Sequence, residues 1–165
     1  MKIAKGVEWA AHTCALLGLL PGEAALSGEA LADFLGVPTP YLAKQLQALS
    51  RAGIVTAKRG AAGGYRLSRL PETVSLWDIT AAIDGNAPSF RCTEVRQSGP
   101  CGASANECAG PCFIAASFLD AETSYRKALA AVSLTEVIAG VARDVNPTRK
   151  QHIMDWIQQH AALAA

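Results

Sequence analysis

The stretch from residue 37 to residue 70 limits the possible fold most, because it places a helix start, a turn glycine and a glycine-rich hairpin in a fixed order. Thr39 is a favourable N-cap, and Pro40 suits the first helical position, where no backbone N–H is needed. Gly53 ends the predicted helix. Between these points an apolar stripe recurs at helical spacing and predicts a buried face, formed by Leu42, Leu46 and Leu49.

A shorter helix precedes this one and a hairpin follows it. The segment SGEALADFLG (27–36) predicts a helix with Ser27 as its N-cap, joined to the next helix by a tight turn at Gly36. Two helices joined in this way are typical of a helix-turn-helix motif. Residues 54–56 and 65–67 then predict two short strands around a glycine-rich tip, and a basic hairpin in this place is a wing.

Charge is distributed unevenly along the chain. Residues 1–70 hold eight basic and four acidic side chains, a net of +4, whereas residues 71–165 hold seven and ten, a net of −3. Residues 37–70 contain six basic side chains and no acidic one. This pattern favours a polyanionic partner, and with the winged helix it predicts DNA binding.

The predicted second helix of the motif has a polar face that could read base edges. We expect the DNA contacts to come from Thr39, Tyr41, Lys44 and Gln45 on this helix and from Lys58 and Arg59 in the wing. The amide of Gln45 suits an adenine edge, and Lys44 suits a guanine or a phosphate. The alternative is a winged helix that makes only protein contacts.

The remaining periodic segments predict further helices over residues 3–20, 75–84, 113–132, 134–142 and 147–162. The chain is therefore expected to be mainly α-helical, with a small β-hairpin. We divide it into a winged helix-turn-helix domain (1–86), a cysteine-rich loop (87–112) and a long helix with C-terminal helices (113–165). The long helix carries a heptad-like seam that fits either the core or a dimer contact, formed by Phe118, Ala121, Tyr125, Ala128 and Val132.

Four of the five cysteines lie within 21 residues, from Cys92 to Cys112, in a segment too rich in glycine and proline to form its own core. Cys101 and Cys108 lie between them, and the spacing matches neither a zinc ribbon nor a ferredoxin. Clustered thiols in a reducing compartment indicate metal or redox chemistry. The fifth, Cys14, lies on an apolar helix face and is expected to be a small buried hydrophobe.

The first predicted helix offers a second set of possible ligands. Glu8 and His12 are four residues apart, so both side chains leave the same face of the helix. A surface pair is one explanation, and half of a metal site is the other, because the surrounding positions are mostly apolar.

No segment is long and apolar enough to span a membrane, and the apolar piece CALLGLL is short and follows Glu8 and His12. We therefore expect neither a membrane anchor nor a signal peptide, and we expect the protein in the cytoplasm.

These features together resemble the IscR/NsrR/RsrR family of bacterial winged-helix regulators, the Rrf-two family. The matching segments are YLAKQLQALSRAGIV (41–55), RGAAGGYRL (59–67), SLWDI (75–79) and the cysteine loop that enters a long helix. The resemblance implies a winged helix with a long dimerisation helix and a homodimer on a double-stranded DNA operator. It also implies an iron–sulfur cluster that senses redox state, nitric oxide or cluster supply.

The family's usual three evenly spaced cysteines are not found here. Instead, GVEWAAHTC (6–14) and ECAGPC (107–112) look like the RsrR branch. In that branch one subunit supplies Glu and His to a 2Fe-2S cluster and the other supplies two Cys. Carried over, the ligands are Glu8, His12, Cys108 and Cys112, with Cys101 and Cys92 as alternates. Trp9, next to Glu8, is expected to respond to the redox state.

The sequence therefore predicts a DNA-binding transcription regulator, a repressor that senses redox state through a 2Fe-2S cluster. One alternative is the same fold holding zinc or free reactive thiols. A second is a redox electron carrier. An enzyme is not expected, because we find no redox CxxC motif, no nucleotide-binding glycine loop and no Ser/His/Asp arrangement.

Overall fold

Local sequence signals set the ends of most helices in the computed structural model, which describes residues 3–58, 60 and 63–162. The described residues form seven α-helices and two strands: α1 Lys5–Leu17, α2 Gly28–Leu35, α3 Thr39–Arg51, β1 Val55–Lys58, β2 Gly64–Leu67, α4 Leu76–Asp84, α5 Phe113–Ala130, α6 Leu134–Asp144 and α7 Pro147–His160. The prediction of a mainly helical winged-helix fold with a small hairpin is confirmed.

Serine caps explain why several of these helices begin where they do. The Ser27 side chain accepts a hydrogen bond from the backbone of α2, as predicted. Capping boxes at Ser75 and Ser133 start α4 and α6. The prediction for α3 was wrong by one residue: Pro38 holds the extended N-cap position, and Thr39 is the first helical residue. Proline accepts that backbone because its ring already fixes φ.

The hydrophobic core lies where α1, α2, α3 and α4 meet. Leu42, Leu46 and Leu49 of α3 are almost fully buried there, as their spacing predicted. Gly36 allows the tight turn between α2 and α3, because its backbone has a φ of +63°. Cys14 of α1 is also fully buried, and burial raises the pKa of its thiol to about 12.

The wing is attached to the core by its second strand. β1 and β2 pair antiparallel, with Val55 opposite Leu67 and Lys58 opposite Gly64. The backbone of Leu26 then exchanges two hydrogen bonds with Tyr65, at 3.1 and 2.7 Å. A Cβ at Gly64 would lie 2.6 Å from the backbone of Leu26, so this close approach requires glycine.

The C-terminal helices pack back against the winged-helix part. Ala162 forms a β-bridge with Ala25, and the Leu134 N–H donates to the Val74 carbonyl at 2.7 Å. The rings of Phe34 and Trp156 contact each other at a tilt of 55°, with 4.8 Å between their centroids, which joins α2 to α7. Nowhere in the part of the chain that the structure describes is a helix long and apolar enough to cross a bilayer.

The predicted seam along α5 divides into two parts. Tyr125 is half-buried and its ring meets Trp77 of α4 edge-on, with 6.3 Å between ring centroids. Phe118 lies two turns earlier, is 54% exposed and stacks on Phe90. Within the seam, Tyr125 therefore packs inside the chain, whereas Phe118, Ala121 and Ala128 are exposed.

Candidate functional site

Of the four α3 side chains predicted to contact DNA, Thr39, Tyr41 and Lys44 are exposed and Gln45 is half-buried. Helical spacing aligns Pro40, Lys44, Gln47 and Arg51 opposite the buried leucines, and all four are exposed. Arg51 was missed as a candidate contact on this face, although its position relative to the leucine stripe could have identified it. Exposure and charge make this face suitable for the major groove of DNA.

Gln45 faces the first helix of the fold. Its side chain is half-buried and lies so close to Gly6 of α1 that a Cβ there would come within 2.8 Å of it. Its amide also donates to the Tyr41 carbonyl at 3.4 Å. Packing against α1 therefore competes with the base contact expected of Gln45.

Tyr41 connects α3 to α1 while remaining accessible. Its side chain is 56% exposed, and its ring meets the half-buried Trp9 ring edge-on at 6.4 Å. The Lys44 ammonium lies 5.8 Å from the Tyr41 ring centroid, within the range of a cation–π contact. Thr39, at the start of the same helix, is exposed. A movement of Trp9 would therefore reach the first turn of α3 directly.

The basic side chains in and after the wing lie in different environments. Lys58 is exposed at the end of β1, whereas Arg59, its predicted neighbour in DNA binding, lies outside the described residues. Arg66 forms an ion pair with Glu23 at 3.0 Å, and Arg69 donates to the Thr73 carbonyl. These two arginines are therefore partly committed to contacts within the chain.

Glu8 and His12 lie on one face of α1, both exposed to solvent. The structure shows no hydrogen bond or ion pair to either side chain among the described residues. Trp9 follows Glu8 on this helix. Two accessible donors, a carboxylate and an imidazole, are thus presented together close to the contact between α1 and α3.

The four loop cysteines occupy different environments. Cys112 is the N-cap of α5, where its sulfur accepts a hydrogen bond from the Ala115 N–H at 3.4 Å. Cys108 is buried with 9% exposure, and Cys101 is exposed. Cys92 is exposed and lines, together with Cys112, a cavity of about 380 Å³.

Arg96 organises this loop around the cysteines. Its guanidinium makes a bidentate contact with Glu94 at 2.9 Å and donates to the Gly110 carbonyl at 2.8 Å. The hydrogen bond to Glu94 is the main reason that the pKa of Arg96 lies above its ordinary value, and the nearby thiols of Cys108 and Cys112 add to it. A cation beside these sulfurs would offset the negative charge of metal-bound thiolates.

A second polar cluster fastens the start of the loop to α5. Glu122 is buried, receives the Ser89 N–H at 2.9 Å and pairs with Arg126 at 3.0 Å. Arg126 also donates to Asn86 and lies over the Trp77 ring, 4.7 Å from its centroid. The hydrogen bond from Arg126 is the main reason that the pKa of Glu122 is lowered. This anchor was missed, since its members are separated by more than thirty residues.

Within residues 3–58, 60 and 63–162 of a single chain, no group of three or more His, Cys, Asp or Glu side chains is arranged to hold a metal ion. The helix that carries Glu8 and His12 and the loop that carries the cysteines therefore do not form one site within the chain.

Comparison with known proteins gives a consistent result. Residues 3–140 match the model of the Rrf2 family, described as an iron-dependent transcriptional regulator. The chain is 38% identical over 90 residues to slr0846 of Synechocystis sp., which carries the name of an HTH-type transcriptional regulator; the alignment covers 54% of this chain but only 61% of that relative. It is 26% identical over 140 residues to the HTH-type transcriptional repressor NsrR of Streptomyces coelicolor, covering 84% and 89% of the two chains. Its fold is similar to the structure of T. potens IscR, with a TM-score of 0.61 and 21% identity over 86% of this chain and 88% of that one.

Proposed function

The chain belongs to the Rrf2 (Rrf-two) family of transcriptional regulators, and from this premise we propose that it is a homodimeric repressor whose DNA affinity responds to a 2Fe-2S cluster. One observation carries the proposal: α1 presents Glu8 and His12 to solvent, and Trp9 between them contacts Tyr41 of the DNA-reading helix. Membership in a family of regulators leaves no support for the electron carrier. A protein that binds DNA in this way would work in the cytoplasm, where thiols stay reduced.

DNA recognition is supported by the exposed face of α3 and by the wing. Lys44 and Gln47 project from α3, and Lys58 lies at the end of β1. In the proposed arrangement α3 enters the major groove and the wing follows the phosphates. Two subunits would then read two half-sites of a symmetric operator.

The donor set fits an iron–sulfur cluster when two chains are considered together. Thiolates are soft ligands that suit iron–sulfur centres, and imidazole also binds iron. Because one chain does not assemble three such donors among its described residues, we propose that Glu8 and His12 of one subunit act with two cysteines of the other. This is the ligand division of the RsrR branch that the sequence resembles.

Cys112 is the first of the two cysteine ligands, since it is accessible and oriented by the N-terminus of α5. For the second, the predicted Cys108 and the alternate Cys92 both have support. Arg96 lies beside Cys108 and Cys112, and Cys92 and Cys112 line the same cavity. Cys101 is exposed and is the least supported of the alternates.

When bound, the cluster would supply a one-electron redox centre, and its His ligand would raise the reduction potential. Glu8 and His12 would hold the cluster from α1, so a change in its net charge would change the electrostatic interaction with both side chains and shift that helix. Trp9 transmits a shift of α1 to Tyr41 through their ring contact. Gly6 transmits it to Gln45, which lies against it. The two recognition helices of the dimer would change their spacing as a result.

A mixed dimer tests the cross-subunit site. One chain carries His12→Ala and the other carries Cys112→Ser, and each homodimer of a single variant is expected to lose its cluster. In the mixed dimer one site combines both substitutions while the other remains intact, so about half of the wild-type iron and sulfide is expected. Cys101→Ser is the matched control and should retain the full amount.

Several results would overturn parts of the proposal. A mixed dimer without iron would mean that each site lies within one subunit. Retention of the cluster by Cys92→Ser and its loss in Cys108→Ser would identify Cys108 as the second ligand. A colourless wild-type protein after anaerobic purification, with zinc or with free thiols only, would favour the alternative regulator that holds zinc or reactive thiols.

A further inference from the structure

A cavity of about 270 Å³ opens between α1, α2, α6 and α7. One wall is formed by Leu16 of α1, which is buried, and others by Phe34 of α2 and Ile138 of α6, which are half-buried. Apart from His12 and Lys150, every residue that lines the cavity has an apolar side chain. An apolar pocket with a small number of polar groups is the usual form of a site for a small molecule.

The charge around this cavity has one sign. Its two polar side chains, His12 and Lys150, are both basic, and among the described residues no acidic side chain lines it. Lys150 is exposed, and none of the ion pairs of the described residues includes its ammonium. The cavity therefore combines an apolar volume with one permanent positive charge that is available to an anion.

We propose that this cavity binds a monocarboxylic acid with a hydrocarbon tail, about eight to ten carbon atoms in all. An apolar protein cavity of about 150 Å³ holds the six carbons of benzene, and a cavity of about 270 Å³ holds proportionally more. A carboxylate brings one negative charge, which the Lys150 ammonium matches. A phosphate monoester would bring nearly two and would require further hydrogen-bond donors that the apolar walls do not supply.

Titration with octanoate, followed at a methionine methyl group, tests this site. The chain has two methionines, Met1 and Met154, and Met154 lines the cavity. In the full chain labelled with ¹³C at the methionine methyl groups, octanoate should shift the Met154 signal to saturation, and Met154→Leu assigns that signal. Hexanoate should bind about tenfold more weakly or worse, because it buries two fewer methylene groups. Equal affinities for hexanoate and octanoate would overturn the proposal.

The positive charge is tested by a pair of neighbouring substitutions. Lys150→Met should weaken octanoate binding by about two- to fivefold and leave the binding of octan-1-ol unchanged, because only the carboxylate uses the ammonium. Arg149→Met is the matched control, since Arg149 is exposed and does not line the cavity. If the two variants bind octanoate equally well, the recognition of the carboxylate by Lys150 is wrong.

The apolar volume is tested by filling it from α6. Ala142→Trp should abolish the binding of octanoate and of octan-1-ol, because Ala142 lines the cavity. Ala139→Trp is the control, since Ala139 is exposed on the same helix outside the cavity, and it should bind both. Thermal unfolding should show that both variants fold. Binding that survives in Ala142→Trp would place the site elsewhere, and competition between octanoate and dimerisation in sedimentation would assign the cavity to a second chain; each result would overturn the proposal.

Two preparations separate this site from the proposed cluster. Octanoate should bind both to the protein as purified and to protein from which a chelator has removed any iron, and binding only in the presence of iron would overturn the cavity as the site. None of the substitutions above changes Glu8 or His12. Loss of octanoate binding in these experiments would therefore leave the assignment of the cluster ligands as it stands.

Discussion

Gly64→Ala should detach the wing from the core by adding one methyl group. The new Cβ would lie 2.6 Å from the carbonyl carbon and oxygen of Leu26, closer than side-chain carbons approach backbone. Because the Leu26 carbonyl group belongs to the backbone, it cannot move away by a change of rotamer as a flexible side chain could. The two hydrogen bonds between Leu26 and Tyr65, at 3.1 and 2.7 Å, would have to lengthen or break.

The expected cost combines overpacking of about 1–3 kcal/mol with up to about 1 kcal/mol for each of the two hydrogen bonds. A total of about 1–5 kcal/mol corresponds to a fall in Tm of roughly 2–20 °C for a chain of this size. DNA affinity should fall as well, because β2 positions the strand that ends at Lys58.

Gly6→Ala is the matched control. Its Cβ would also meet a close neighbour, at 2.8 Å, but that neighbour is the flexible end of Gln45. Alanine also favours the helix by about 0.5–1 kcal/mol over glycine, so Tm should stay constant or rise slightly. Thermal unfolding at fixed protomer concentration measures both variants, and fluorescence anisotropy with a duplex selected from a random library measures DNA affinity. If the two variants show the same Tm, the steric argument for Gly64 is wrong.

Three further predictions concern charge and coupling. Lys44→Ala should lower the slope of log affinity against log salt concentration by about 0.9 for each phosphate that is no longer neutralised. Arg66→Ala is the control and should change the slope less, because the Arg66 side chain pairs with Glu23. If Lys44→Ala and wild type show equal slopes, Lys44 does not bind a phosphate. Glu122→Gln should lower the free energy of unfolding at neutral pH. Because the pKa of Glu122 is lowered in the folded protein, the difference in unfolding free energy from wild type should shrink as pH falls below the ordinary carboxyl range. A difference that does not change with pH in denaturant titrations would contradict this. Trp9→Leu should keep the cluster but reduce the change in DNA affinity between oxidised and reduced protein, since leucine cannot reproduce the edge-on ring packing against Tyr41. If this change in affinity equals that of wild type, the redox state is coupled to DNA binding through other residues.

The sequence by itself determined the elements of the fold. Helix and strand positions follow from signals that act over three or four residues, such as the Ser75 capping box and the leucine stripe of α3. The turn at Gly36 is a local signal too, because its backbone has a positive φ that favours glycine. The burial of Cys14 followed from its position on an apolar helix face. These predictions needed no knowledge of distant contacts.

Only the tertiary structure decided which surfaces are free to act. Gln45 and Lys44 are adjacent and both polar, yet packing of α1 covers the first and leaves the second exposed. Arg66 belongs to the basic segment of the sequence, but in the structure it forms an ion pair with Glu23, which lies 43 residues earlier in the chain. The cavity shared by Cys92 and Cys112 likewise depends on how the loop closes through Arg96. Contacts between distant segments depend on how helices pack, and the periodicity within one helix carries no information about which neighbour will cover it.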